Sequence, residues 1–360
     1  MLMPHDPTVL PNEVRFAHVA SGARIAWAKS GRGPALVRVA HWMTHVEHDT
    51  TSPIWRPWLT GLGRRVEVIR YDERGCGLSG TDTAPLGIDA ALEELEAVID
   101  ATALPRVALL GQSGAAALAI AYAAKHPDRV SHLVLLGGYL TGLMHANPAA
   151  DVAAFHDVKV RLVELGWGRN DPAVQQFFTT TMIPDAAPEQ VAALNEQQRL
   201  CCDGARAAQI MQARARLDVR ALAPLVRCPT LVLHAAGDIV VPIERGRDMA
   251  AAIFGARLET LDTRNHIPLP GDGGFDRFIQ VVADFVASET SHLALTPREK
   301  ELAHAVADGL DNLQLAARLG VAEKTARNAL SALYTKLSVE GRPQAIVLLR
   351  AEGFGGSTRP

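Results

Sequence analysis

Three residues, far apart in a chain of 360, have the types needed for one hydrolytic unit: Ser113, Asp238 and His266. A serine hydroxyl is a poor nucleophile unless a histidine takes its proton, and that imidazole needs a carboxylate to fix its tautomer. Ser113 stands in Gly111-Gln112-Ser113-Gly114-Ala115, between the strand-like "VALLG" and the helical "AAALAIAYAAKH". Strand, tight turn, helix is the context a nucleophile elbow requires, because small residues two before and two after the serine let the backbone turn sharply. Ala115 takes the place of the second glycine of G-x-S-x-G. Asp238 ends "LVLHAAGD", just beyond a strand-like run, and His266 lies in "TRNHIPLP", in the loop after the next strand. Each alone has a plain alternative: a chance serine turn, a capping aspartate, a loop histidine. Their conjunction in the chain order Ser, Asp, His favours the catalytic reading.

Two further groups of polar residues stand out. The loop "HWMTHVEHD" gathers His41, His45, His48 and Asp49, but it lacks helically paired histidines, and the expectation is no metal and no cofactor. Near the carboxyl terminus, Lys324, Arg327, Asn328, Ser331 and Thr335 recur on one face of a helical stretch, opposite Ala326, Leu330, Leu333 and Leu337. The polar face carries donors suited to phosphates and base edges; a small bundle with a solvated face is the other reading.

These side chains need elements to hold them. Short β-like runs open the sequence ("EVRFAHVA", "RIAWAKS", "ALVRVA", "VEVIRYD"), and strand and helix patterns alternate from Ile88 onward. The expected fold class is α/β, a mostly parallel sheet covered by helices. From Tyr139 to about Leu222 the strand pattern vanishes and a helical insertion is expected. "LTPREKE" is a helix start, with Thr296 as N-cap, Pro297 at the first helical position and Glu299 closing a capping box. A second start follows at Asp311 with Gln314, and Gly320 permits the left-handed turn between two crossed helices. The joint falls near "SETSHLALTP", giving domains at 1–290 and 295–354.

Composition agrees with two globular parts: 48% hydrophobic, 21% charged, net charge −3. From Leu295 to Pro360 nine Lys/Arg face seven Asp/Glu, a balance of +2, leaving −5 for the rest. The four cysteines show no CxxC spacing and read as reduced thiols. The apolar region Val107 to Ala124 is broken by Gly111 to Gly114, which excludes a membrane span, and "MLMPHDPTVLPNEV" lacks a signal-peptide pattern. A cytoplasmic location is expected.

On the elbow, on "RYDERGCGLSG" and on "HPDRV", the stretch from about Asn12 to Ser288 resembles the α/β-hydrolase fold family. The resemblance implies Ser113 as nucleophile, Asp238 as orienting acid, His266 as general base, and the helical insertion (about 139–222) as a cap. Serine rather than aspartate at the nucleophile position sets aside haloalkane dehalogenases and epoxide hydrolases, leaving ester, thioester, lactone or C–C bond hydrolysis. It further implies an oxyanion hole from the N–H groups of Trp42 and Gly114, with His41 where the family has a glycine. From Leu295 to about Gly353, "LTPREKEL", "AARLGVAEKTARN" and the following leucines resemble a LuxR-type helix-turn-helix domain. That likeness implies double-stranded DNA as partner, read by Lys324, Thr325, Arg327 and Asn328 on the recognition helix, with Ser331 on the same face. A homodimer is expected, with "QAIVLLRAEGF" able to pair the domains. The two halves together imply a transcriptional regulator whose first domain binds, and may hydrolyse, a small apolar carbonyl compound. The other reading is a working esterase whose tail only localises or oligomerises it.

Overall fold

The computed structural model describes residues 13–41, 43–81, 86–145, 148–169, 171–288, 295–337, 339–351 and 354–355. Contacts divide the chain into two compact units, Met1–Ser288 and Glu289–Pro360.

The first unit is built on eight strands: β1 (Arg15–His18), β2 (Arg24–Gly31), β3 (Ala35–Arg38), β4 (Glu67–Tyr71), β5 (Val107–Gln112), β6 (Val130–Leu136), β7 (Thr230–Ala235) and β8 (Arg257–Leu261). They form one sheet in the order β1-β2-β4-β3-β5-β6-β7-β8. β1 pairs antiparallel to β2 and β2 antiparallel to β4, and all later pairings are parallel. Successive strand residues point to opposite faces, so a parallel sheet covered on both sides demands unbroken apolar strands. β5 and β7 obey: all six residues of each are buried. Leu109, Leu133, Leu135 and Val232 enter one core, Leu110, Val134, Leu136, Leu231 and Leu233 the other.

Helices supply the two covers. Those of the first unit are α1 (Trp55–Gly63), α2 (Ile88–Ala101), α3 (Gly114–Lys125), α4 (Ala150–Gly166), α5 (Pro172–Met182), α6 (Pro188–Cys201), α7 (Gly204–Ala215), α8 (Ile243–Ala252) and α9 (Phe275–Ala287). α2, α3 and α8 pack on one core through Leu95, Leu118 and Met249; α1 and α9 close the other through Trp58 and Phe278, whose rings lie 4.3 Å apart. α4 to α7 are the helical insertion. They carry no sheet strand and add Val163, Phe178, Leu194 and Ala207 to the second core. An isolated bridge between Thr141 and Asp218 ties the two ends of the insertion together.

The second unit is all helical: α10 (Pro297–Ala307), α11 (Asn312–Leu319), α12 (Glu323–Leu337) and α13 (Arg342–Ala351). Both expected capping boxes form, Thr296 with Glu299 and Asp311 with Gln314, each satisfying N–H groups that a helix start leaves unpaired. Gly320 closes α11 at φ +64°, a backbone that side-chain-bearing residues rarely adopt, and so redirects the chain into α12. Leu302, Leu315, Leu330, Leu333 and Leu349 share one small core. The apolar tail stretch is partly used inside this core, since Ala345 and Leu349 are fully buried, while Val347 is exposed. All four cysteines are unbridged. No helix among the described residues is long and apolar enough to cross a membrane.

Candidate active site

Ser113 sits between β5 and α3 with φ +53° and ψ −127°. For a residue with a side chain this is strained backbone, costing on the order of 1–3 kcal/mol, and such strain persists only where the surroundings enforce it. They do so here. The Ser113 N–H donates to the Leu136 carbonyl on β6 (2.9 Å), and its carbonyl accepts from Ala116 (3.0 Å). Gly111 is required because a Cβ there would lie 2.7 Å from both the Ala115 carbonyl oxygen and the Ala116 Cα. Ala115 is fully buried in the turn, so one glycine and one alanine are enough.

Asp238 and His266 meet as their spacing suggests. Asp238 follows β7 and His266 follows β8, and His266 Nδ1 lies 2.6 Å from Asp238 Oδ2. Asp238 Oδ1 accepts from the Val240 and Val241 N–H groups (2.8 and 3.0 Å). Burial pushes the Asp238 carboxyl up, but the His266 hydrogen bond and charge and the two backbone N–H groups hold it below the usual carboxylate range. The imidazole is 4% exposed, and its Nε2 is buried with no hydrogen-bond partner among the described residues. A hydrogen bond from Ser113 to His266 is therefore not formed in this structure. Both residues nonetheless line the same cavity.

The His266 loop is fixed from two sides. Asp272 receives Thr263 Oγ1 (2.9 Å), Asn265 Nδ2 (3.1 Å) and the N–H groups of Leu269, Gly274 and Phe275. From the insertion, the Met182 carbonyl accepts the His266 N–H (2.8 Å) and Asn265 Oδ1 accepts the Asp185 N–H (3.0 Å). Gly137 must lack a side chain as well, since a Cβ there would lie 3.0 Å from His266 Cε1 and its φ is +56°. Sequence reasoning missed Gly137 and Asp272; the "LLGG" after a strand-like run and the "PGDGG" turn were the available signals.

The shared cavity has a volume of about 330 Å³ and runs from Ser113 and Gly114 to the insertion helices, including Phe177, Phe178 and Met211. Gly114, the first residue of α3, has an N–H that the helix leaves unpaired. A Cβ on it would meet Tyr139 Oη at 2.9 Å and Arg214 Cδ at 3.1 Å, so both side chains stand over the turn. Arg214 on α7 donates to Glu73 Oε1 (2.8 Å) in the loop after β4, pinning the insertion to the sheet. Trp42, the other expected oxyanion donor, lies outside the described residues. His41 lines the cavity, and burial together with the Arg38, Arg214 and His266 charges pushes its imidazole well below its usual range, leaving it neutral. Asp49 in the same loop is taken up by Arg38 (3.2 Å), and His45 Nδ1 accepts the His48 N–H (3.4 Å).

In the second unit, Lys324, Thr325, Arg327, Asn328 and Ser331 are all exposed on α12, and Ala326, Leu330, Leu333 and Leu337 are buried. Arg327 has an exposed ion pair with Glu323 at 3.7 Å.

Residues 47–271 match the alpha/beta hydrolase fold family, and residues 293–349 match the luxR family of bacterial regulatory proteins. The chain is 27% identical over 256 residues to a 2-hydroxy-6-oxo-2,4-heptadienoate hydrolase of Pseudomonas putida, covering 65% of this chain and 83% of that protein. It is 24% identical over 278 residues to the pyrrolizixenacetamide deacetylase of Xenorhabdus hominickii, covering 74% and 96%. Among solved structures it shares its fold with an esterase from Exiguobacterium antarcticum, with a TM-score of 0.63 at 22% identity, covering 77% of this chain and all of that one. From residue 47 to residue 271, more than half its length, the chain belongs to the alpha/beta hydrolase fold family, and it carries a carboxy-terminal domain of the luxR family of bacterial regulatory proteins.

Proposed function

We propose that this protein is a transcriptional regulator whose first domain binds and hydrolyses a small, largely apolar carbonyl compound through Ser113, His266 and Asp238, with double-stranded DNA as the partner of the second. The observation that carries the reading is the His266–Asp238 pair at 2.6 Å, with Nε2 unpartnered in the wall of the cavity that Ser113 enters on a strained turn. Asp238 holds the proton on Nδ1, so Nε2 keeps a free lone pair to act as base. In the reaction, Ser113 Oγ bonds to the substrate carbonyl carbon while its proton passes to Nε2. That proton then leaves with the departing alcohol, thiol or enol, and water, deprotonated at the same nitrogen, releases the acid and restores the serine. Negative charge on the carbonyl oxygen falls toward the Gly114 N–H, and Trp42 is assigned the second donor. Each such donor contributes about 10²–10³ in rate. Both curated relatives are named for bond-breaking hydrolytic reactions, which supports the same class here.

The exposed face of α12 suits the major groove, with Lys324, Thr325, Arg327, Asn328 and Ser331 as its contacts. Two such helices about 34 Å apart are the usual arrangement on DNA, so a homodimer is the active form. DNA as partner places the protein in the cytoplasm, where four unbridged cysteines are at home.

A ligand can shift DNA binding only by its differential affinity for the two states, commonly about 1–3 kcal/mol. The test is operator affinity with and without a bound ester, in the full chain and in Ser113→Ala. A several-fold shift in both proteins is expected if binding is what is sensed, and a shift confined to the unaltered protein if the acyl-enzyme or product is sensed. No shift in either with any compound that fills the cavity overturns the sensor and leaves a tethered esterase.

A further inference from the structure

The cavity is unusual in its ionisable lining. Besides Tyr139, the groups in its wall are His41, His156, Lys159, Arg214, Arg245 and His266, and no carboxylate is among them. Three of the six already have work: His41 is a neutral loop residue beside Arg38, Arg214 is paired with Glu73, and His266 is bound to Asp238. Three are unspent. His156 and Lys159 lie one turn apart on α4 and so share a helix face. His156 is 4% exposed, and its Nδ1 is buried without a hydrogen-bond partner among the described residues. The Lys159 ammonium is half-buried and lies 4.6 Å from the Phe155 ring centroid, with no carboxylate in reach among the described residues. Arg245, on α8, also lines the cavity but is exposed.

A half-buried ammonium and a buried imidazole nitrogen left without acceptors or donors are costly unless something arrives to use them. Burial lowers the affinity of both for protons, Lys159 below the usual lysine range and His156 below the usual histidine range, so both gain from an incoming negative charge. The same wall holds Phe177, Phe178, Met182 and Met211. A largely apolar cavity whose unspent charges are cationic fits a short amphiphile: a reactive carbonyl, an aliphatic or aromatic body, and one anionic group.

We propose that Lys159, with His156 beside it on α4, forms an anion-binding subsite in the cavity, and that the ligand is a carbonyl compound bearing a carboxylate. The proposal rests on the hydrolase reading above for the place of the carbonyl, and adds the charge class of the ligand. Lys159 is a specificity residue, the ammonium that receives the carboxylate, with His156 one turn away on the same helix face.

The test compares monomethyl adipate with dimethyl adipate, in which the far carboxyl is a free carboxylate or a neutral methyl ester, with the rate of the diester halved for its two equivalent esters. The readout is the ratio of their kcat/KM values for the full chain. A charge-assisted hydrogen bond out of bulk water favours the half-ester by roughly ten- to a hundredfold. Lys159→Met should bring that ratio close to one, and Lys159→Arg should keep it. A ratio near one in the unaltered protein, or one that Lys159→Met does not change, overturns the subsite. Loss of turnover in Ser113→Ala reports separately on the serine. If neither ester is hydrolysed, the same ratio is read as dissociation constants by calorimetry on the unaltered chain and Lys159→Met; equal binding of the two compounds, or no binding of the half-ester, overturns the proposal.

Discussion

Asp238 is where positioning and chemistry can be separated by one atom. An amide in its place can still accept from the Val240 and Val241 N–H groups, but it offers the His266 Nδ1–H no charge and permits the wrong tautomer. Asp238→Asn is expected to lower kcat for a neutral ester by about 10⁴-fold while leaving its KM and the unfolding midpoint nearly unchanged. An unaltered kcat would remove Asp238 from the reaction. The same scale shows what a sequence reveals about chemistry and what it hides. Ser113, Asp238 and His266 could be read because chain order and flanking strands constrain them. Arg214, Tyr139, Lys159 and His156 could not, because they reach the cavity from an insertion whose helices carry no spacing that points inward.

At the scale of elements, the loop after β4 is organised by a buried carboxyl. Asp72 accepts the Val46 N–H at Oδ1 and the Leu78 N–H at Oδ2 (both 2.9 Å), and a Cβ on Gly77 would overlap it. Burial nevertheless pushes its pKa from 3.8 to about 7, against those two hydrogen bonds. A carboxyl raised in the folded state contributes stability below its unfolded pKa and loses it as pH rises toward the folded value. The unit should therefore lose stability from this group between about pH 4 and 7, and Asp72→Asn should flatten that slope. Tryptophan fluorescence in urea at a series of pH values measures it cleanly, since all five tryptophans precede residue 168. A slope that Asp72→Asn leaves unchanged would assign the pH dependence elsewhere. Strand and helix alternation, both capping boxes and the Gly320 turn were legible because they are local: each depends on residues three or four apart or on one strand. Gly137 was not, because the His266 ring it makes room for follows another strand, and Asp272 was not, because its partners, though within nine residues, follow no helical or strand period; the bond between Met182 and His266 spans a separation no local pattern encodes.

At the scale of the whole molecule, the second unit offers its recognition face with little to release. Among the described residues Arg327 gives up an exposed ion pair with Glu323, and such pairs are worth about 0–1 kcal/mol. Arg327→Ala is expected to weaken operator binding by about 1–3 kcal/mol if it reads a base; if it touches phosphate instead, all sequences weaken alike and the salt slope falls by about one. Affinity unchanged at every salt concentration would show that α12 meets DNA by another face or not at all. In the first unit, the loop bearing His266 is strapped to the cap by Met182 and Asp185, while Arg214 straps the cap to the sheet. The imidazole is thus held partly by the insertion, whose side chains also line the cavity. On the proposed function, a ligand that shifts the insertion shifts the anchorage of the base with it. The wall that meets a ligand and the strap that aims His266 are one piece of chain, so a substitution in the insertion that changes what the cavity admits changes the base's aim as well.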